Sequence, residues 1–194
     1  ADKARIVVQE MIDGISLELV EKRLVTDQLV LTVGYDIENL TRPEIRKVYK
    51  GPVTTDRYGR RVPKHAHGTW NLPRATSSSS ELLEAMAALY DKIVNPALLI
   101  RRMSLSACHV VNEKMAKERE QKETFEQLDL FTDYAKKEAK EKEEQKKRER
   151  ERRMQEALLT IKKKYGKNAV LRGMNFEEGA TAKERNGQIG GHQA

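Results

Sequence analysis

The chain has 194 residues, of which 38% are hydrophobic and 35% charged, and 37 Lys and Arg stand against 30 Asp and Glu for a net charge of +7. So polar a composition cannot fold the whole chain around one core, and it predicts solvated helix or irregular chain beside a smaller folded domain. A single cysteine, Cys108, excludes a disulfide framework and points to a reducing compartment. No apolar run is long enough to span a bilayer, and no charged-then-apolar leader opens the sequence.

Residues 4–24 predict an amphipathic helix, because Val8, Ile12, Ile15 and Leu19 recur at helical spacing among Glu10, Glu18, Glu21 and Lys22. The period then changes to two. Leu29, Leu31, Val33 and Tyr35 alternate with Gln28, Val30 and Thr32, which predicts a strand over 28–35 with one buried side. Residues 36–64 hold the breakers Arg42-Pro43, Gly51-Pro52 and Asp56-Arg57-Tyr58-Gly59, and predict a long loop or an extended hairpin arm. A second strand is expected over 65–72, with His65, His67, Thr69 and Asn71 on one side and Ala66, Gly68, Trp70 and Leu72 toward the core.

Ser78 and Glu81 have capping-box spacing at the head of a helix whose stripe is Leu82, Leu83, Met86, Leu89, Tyr90 and Ile93, and Asn95-Pro96 ends it. A third strand follows over 98–111, with Met103, Leu105 and Ala107 inward and Arg102, Ser104 and Ser106 outward. The order helix–strand–strand–helix–strand in residues 1–113 is that of a small α+β domain with two helices on one face of a sheet. A helix standing first suggests that its partner strand lies upstream of Ala1, and hence that the chain is a fragment.

Composition shifts after Glu113. Residues 114–153 form a charged tether, helical or disordered, and residues 154–194 an amphipathic helix and tail. Met154, Leu158, Ile161 and Tyr165 give that helix an apolar stripe suited to packing on a partner or on the first domain, and Gly166 closes it. The remaining residues show no usable period. If sustained apolar heptads ran through the tether, the chain would instead be a charged-helix scaffold or interaction protein, but those heptads are lacking.

Two features carry chemistry. The first is the island Gln127-Leu128-Asp129-Leu130-Phe131 in the charged tether. As an extended peptide it can seat Leu130 and Phe131 in an apolar pocket while Gln127 bonds the rim, or it can turn back onto its own fold; the residues alone favour neither. The second is the outward sheet side with the segment 41–74. There Arg42, Arg46, Lys47, Lys50, Arg57, Arg60, Arg61, Lys64 and Arg74 face only Glu44 and Asp56. Thr69, Gly68, Ser104 and Ser106 are small enough to admit a phosphate backbone, and Arg60, Lys64 and Arg102 supply charge. With Trp70 in the core no aromatic platform is evident, so contact would be sequence-independent and salt-sensitive. An ordinary solvated face is the plainer reading. His65 and His67 share a strand side but lack a third metal ligand, and Cys108 has no basic partner and reads as a structural thiol.

Taken in order, the first helix and strand, the basic arm, His65-Ala66-His67-Gly68-Thr69, the capped helix and Leu99-Ile100-Arg101-Arg102-Met103-Ser104-Leu105 resemble the little-finger domain of bacterial Y-family (translesion) DNA polymerases. Tyr49-Lys50-Gly51-Pro52, Asp56-Arg57-Tyr58-Gly59-Arg60 and the tail Gly173-Met174-Asn175 with Glu178-Gly179-Ala180-Thr181, Arg185-Asn186 and Ile189-Gly190-Gly191-His192 resemble its UmuC-like (ImpB/MucB/SamB) group. Gln127–Phe131 resembles the peptide by which bacterial polymerases bind the β sliding clamp.

The resemblance implies a four-stranded sheet laid in the major groove of template–primer duplex DNA. It implies backbone contacts from Arg60, Lys64, His67, Gly68, Thr69, Arg101, Arg102, Ser104 and Ser106, and clamp contacts from Gln127, Leu128, Asp129, Leu130 and Phe131. It implies a cytoplasmic, nucleoid-associated repair protein of the SOS response. The family's catalytic acids and their Mg2+ lie in a palm domain upstream. The sequence shows no Ser-x-Asp-Glu motif, so this fragment is expected to be monomeric and to have no polymerase activity of its own.

Overall fold

The computed structural model describes residues 2–123, 134–189 and 192–193, with side chains described through residue 120 and from 142 to 188. The island 127–131 lies outside the described residues. Helix α1(Asp2–Glu21) leads through a turn at Lys22 and Arg23, the latter with φ of 56°, into strand β1(Leu24–Tyr35). β1 is longer than its period-two core suggests because Val25 and Thr26 are also buried.

β1 is the central strand. It pairs antiparallel with β4(Ala66–Thr76) on one side and β5(Ile100–Cys108) on the other, and its first residues pair with β6(Val111–Asn112). The strand expected over 98–111 is thus two pieces, broken where His109 takes a φ of 51°. Helix α4(Ser79–Ile93) and α1 cover one side of the sheet. Leu29, Leu31 and Val33 of β1, Val8 and Ile12 of α1, and Leu82 and Met86 of α4 are all 0% exposed. Each such side chain contributes about 1.5–3 kcal/mol by leaving water. An exposed pair such as Arg5–Asp91, bidentate at 2.9 Å, contributes roughly 0–1 kcal/mol. The apolar layer therefore holds the domain, which is the α+β arrangement expected, with two helices on one face.

Residues 36–64 are more ordered than a loop. They form α2(Glu38–Thr41), α3(Pro43–Val48) with Pro43 at its first turn, and a hairpin of β2(Val53–Thr55) and β3(Arg61–Pro63). Buried Asn39 latches this segment to the start of β5. Its Nδ2 donates to the carbonyls of Asp36 (2.8 Å) and Leu99 (2.9 Å), and its Oδ1 accepts from the Leu99 N–H at 2.7 Å.

The head of α4 meets half of the capping expectation. Ser78 Oγ accepts from the Glu81 N–H at 3.3 Å, but the Glu81 carboxylate turns to Arg74 instead. A second carboxylate takes the helix end. Glu151, from α6(Tyr134–Tyr165), accepts from Ser78 Oγ and the Ser80 N–H at 2.7 Å and from Ser80 Oγ at 2.8 Å. An acid there satisfies free N–H groups and meets the positive end of the helix dipole.

α6 runs unbroken through the expected boundary at residue 153, and three of the four residues of its expected stripe are exposed. Met154 is 53%, Ile161 37% and Tyr165 67% exposed, while Gln155 is 2% exposed. Gln155 Nε2 donates to the Ser77 carbonyl (3.0 Å) and Ser79 Oγ (2.9 Å), and Arg152 donates to Ser77 Oγ at 3.0 Å. The seat offered to α6 is a row of hydroxyls and N–H groups, so polar side chains dock there, and of the apolar stripe only Leu158 is half-buried. Gly166, with φ of 96° and its N–H on the Lys162 carbonyl, closes the helix as expected.

The tail, which had no period, packs back on α1. A 3-10 turn at Gly173–Phe176 and helix α7(Ala182–Arg185) surround Glu10, which is only 5% exposed. Its carboxylate accepts from Asn175 Nδ2 and the Thr181 N–H at 2.9 Å and from Arg185 Nη2 at 3.1 Å. Burial pushes this carboxyl up, and the donors from Asn175, Thr181 and Ala182 with the Arg185 charge outweigh it, leaving the group below its ordinary value. Among the described residues no helix is long and apolar enough to cross a membrane.

Candidate nucleic-acid interface

The side of the sheet turned away from α1 and α4 is left uncovered by the described residues. Strand register places its residues in rows running β4–β1–β5. One row is His67, Thr32 and Ser104; the next is Thr69, Val30 and Ser106; a third is Asn71, Gln28 and Cys108. Arg102 stands opposite Gly34 at the end beyond the first row. His67, Thr69, Asn71, Arg102, Ser104 and Ser106 are all exposed. Thr32 Oγ1 and His67 Nδ1 share a hydrogen bond of 2.9 Å, and Gln28 Nε2 donates to Asn71 Oδ1 at 2.9 Å. These bonds orient the side chains without consuming all of their capacity. No acidic side chain lies in the three rows.

Alternation alone would send Arg101 inward beside Met103. A one-residue slip between Gly34 and Tyr35 makes Arg101 the extra residue of a bulge, so Arg101 and Arg102 are both exposed. Arg101 lies 3.7 Å from Asp36, whereas Arg102 has no acidic partner among the described residues.

Of the expected contact residues, Gly68 needs correction and Arg60 lies elsewhere than the sheet rows. Gly68 sits on the helix side of β4, where an added Cβ would lie 2.8 Å from Ile93 Cγ2 and 2.9 Å from Leu89 Cδ1. The glycine makes room for α4, not for a ligand on the open side. Arg60 belongs to the β2–β3 turn, away from the sheet rows, and is bound to Asp56 at 2.7 Å and 2.9 Å. Arg60 holds the Asp56 carboxyl down at about 2. Lys64 is exposed just before β4 and is free of any acid among the described residues.

Gln28 and Asn71 join the face, on the side where alternation had placed them, although they were not among the expected contacts. Trp70 is half-buried against the core, as expected, but Tyr58 at the hairpin tip is 64% exposed and was missed as an aromatic surface. Cys108 is half-buried with a free thiol, and no group of three His, Cys, Asp or Glu among the described residues could hold a metal. A cleft runs between α6, α5(Glu113–Glu123) and the β4–α4 corner. Of its arginines, Arg74, Arg148 and Arg152 are paired with Glu81 and Glu113, whereas Arg119 and Arg153 have no acid partner among the described residues. The open sheet side needs no cavity to meet a phosphate backbone.

The fold and this face define a small α+β protein with an apolar, helix-covered sheet side opposite an acid-free, hydroxyl-rich one. Comparison of the chain with protein-family models, curated proteins and solved structures finds no match in any of the three.

Proposed function

We propose that the chain is the DNA-holding and clamp-tethering region of a Y-family translesion polymerase. The observation that carries the proposal is the open sheet side, where Thr32 and Ser104 stand in register with His67, and Thr69 and Ser106 flank Val30; Arg102, without an acid partner among the described residues, ends the rows. Short side chains let a duplex backbone come close, hydroxyls and His67 donate to phosphate oxygens, and Arg101, Arg102 and Lys64 supply charge. Such contacts position a duplex without reading its sequence. The island Gln127–Phe131, between α5 and α6 in the sequence, is the proposed clamp peptide. Held by a ring on the same DNA, the polymerase would gain effective concentration at the primer end without new contacts there. Catalysis and its Mg2+ belong in this reading to a palm domain that precedes these residues.

The test is duplex affinity as a function of salt. For Arg102→Ala, affinity is expected to fall similarly on unrelated blunt duplexes, and the slope of log affinity against log salt to flatten by about 0.9, the share of one phosphate contact. A variant with the wild-type slope contradicts a phosphate role for Arg102.

A further inference from the structure

The β2–β3 hairpin carries charge and an aromatic ring that the sheet-side reading does not use. Its turn is tightly organised. Asp56 Oδ1 accepts from the N–H groups of Tyr58 (2.9 Å) and Arg60 (3.0 Å), and Oδ2 from the Arg60 guanidinium. The Asp56 carbonyl accepts from Gly59, whose φ of 78° closes the turn. What this frame presents is Tyr58, 64% exposed, with the guanidinium carbons of Arg57 and Arg60 at 4.7 Å and 5.0 Å from the ring centre. Arg57, Arg61 and Lys64 on the same arm, and Arg46, Lys47 and Lys50 before it, are exposed and have no acid partner among the described residues.

We infer that this hairpin is a stacking site for an unpaired nucleotide of single-stranded DNA adjoining the duplex. The inference rests on the sheet-side reading and extends it. An aromatic ring flanked by planar cations offers flat surfaces to a base, and the neighbouring cations match the phosphates on either side. Bases within a duplex are already stacked on one another, so a turn tip of this kind gains most from a base that is unpaired. Because Asp56 holds the turn before any ligand arrives, little ordering cost remains at binding. The position is also favourable: Ala66, just after the hairpin, pairs with Val33, and Arg102 pairs with Gly34, so the arm and Arg102 share one end of the sheet. A strand leaving a duplex held on the open side would pass the hairpin there.

The experiment uses the full chain, a blunt DNA duplex, and the same duplex with a short single-stranded extension bearing 2-aminopurine at its first unpaired position. Wild type is expected to prefer the extended DNA and to quench the probe. In Tyr58→Ala the ratio of extended to blunt affinity should fall about tenfold, as for the loss of one stacked base. Tyr58→Phe, which keeps the ring, should retain both ratio and quenching. An unchanged ratio in Tyr58→Ala, or no wild-type preference for the extended DNA, overturns the inference. Arg102→Ala separates the two claims, because it should lower both affinities and leave their ratio alone. Weakened binding in Arg102→Ala beside an unaltered ratio in Tyr58→Ala would leave the sheet-side reading standing and the hairpin reading refuted.

Discussion

Replacing Leu130 and Phe131 together by Ala is expected to abolish measurable binding to a bacterial β sliding clamp. Anchors of this kind each contribute about 2 kcal/mol or more, so losing both lowers affinity on the order of a thousandfold. Gln127→Ala should cost less, since a rim hydrogen bond is worth roughly 0.5–1.5 kcal/mol. Surface plasmon resonance on immobilised clamp separates these magnitudes. Undiminished affinity in the double variant would remove the tethering half of the proposal and leave the sheet untouched.

The second large effect is expected at Glu10. Its carboxylate gathers Asn175, Thr181 and Arg185, and Glu10→Ala would strand those donors against an apolar methyl. Removing one partner from a buried charged cluster costs roughly 3–5 kcal/mol. Arg185 is 37% exposed and can turn to water, so the lower end, about 3 kcal/mol, is expected. The loss should appear as faster amide exchange across residues 173–186, with the core strands unaffected.

Acid should mimic the substitution. The docked carboxyl titrates below its ordinary value of 4.5, so its contribution is complete above that value and is lost as pH falls through the lower, docked one. Protection of the tail that persists in Glu10→Ala would show that the docking rests elsewhere.

The sheet and its two helices were legible because each apolar residue that defines them repeats at one period and lands on one side. Leu29, Leu31 and Val33 announce β1, and Leu82, Met86 and Leu89 announce α4. The outward set Arg102, Ser104 and Ser106 followed from the same alternation. Three things were not legible, each for a physical reason. The α6 stripe of Met154, Leu158, Ile161 and Tyr165, of which only Leu158 is half-buried, reads as a buried face only if the seat is apolar. The seat is instead the serine-rich head of α4, and hydrogen-bonding groups at Glu151, Arg152 and Gln155 win it.

The bulge that exposes Arg101 beside Arg102 depends on register between strands, which no single-strand period contains. The tail's docking depends on one buried acid, Glu10, whose partners lie more than 160 residues away. In the candidate interface, Gly68 was named as a contact for its smallness although alternation already placed it toward the core, and there its smallness serves helix packing. The Arg60–Asp56 pair was not foreseen because a four-residue separation closes a turn only in this hairpin geometry.

The most direct test of the central claim is a map of amide chemical shifts as a blunt DNA duplex is added to the isotope-labelled chain. Shifts are expected at Thr32, His67, Thr69, Arg102, Ser104 and Ser106, together on the open side of β1, β4 and β5, with α1 and α4 quiet. Shifts gathered instead along the exposed side of α6, with those strands unmoved, would contradict the account.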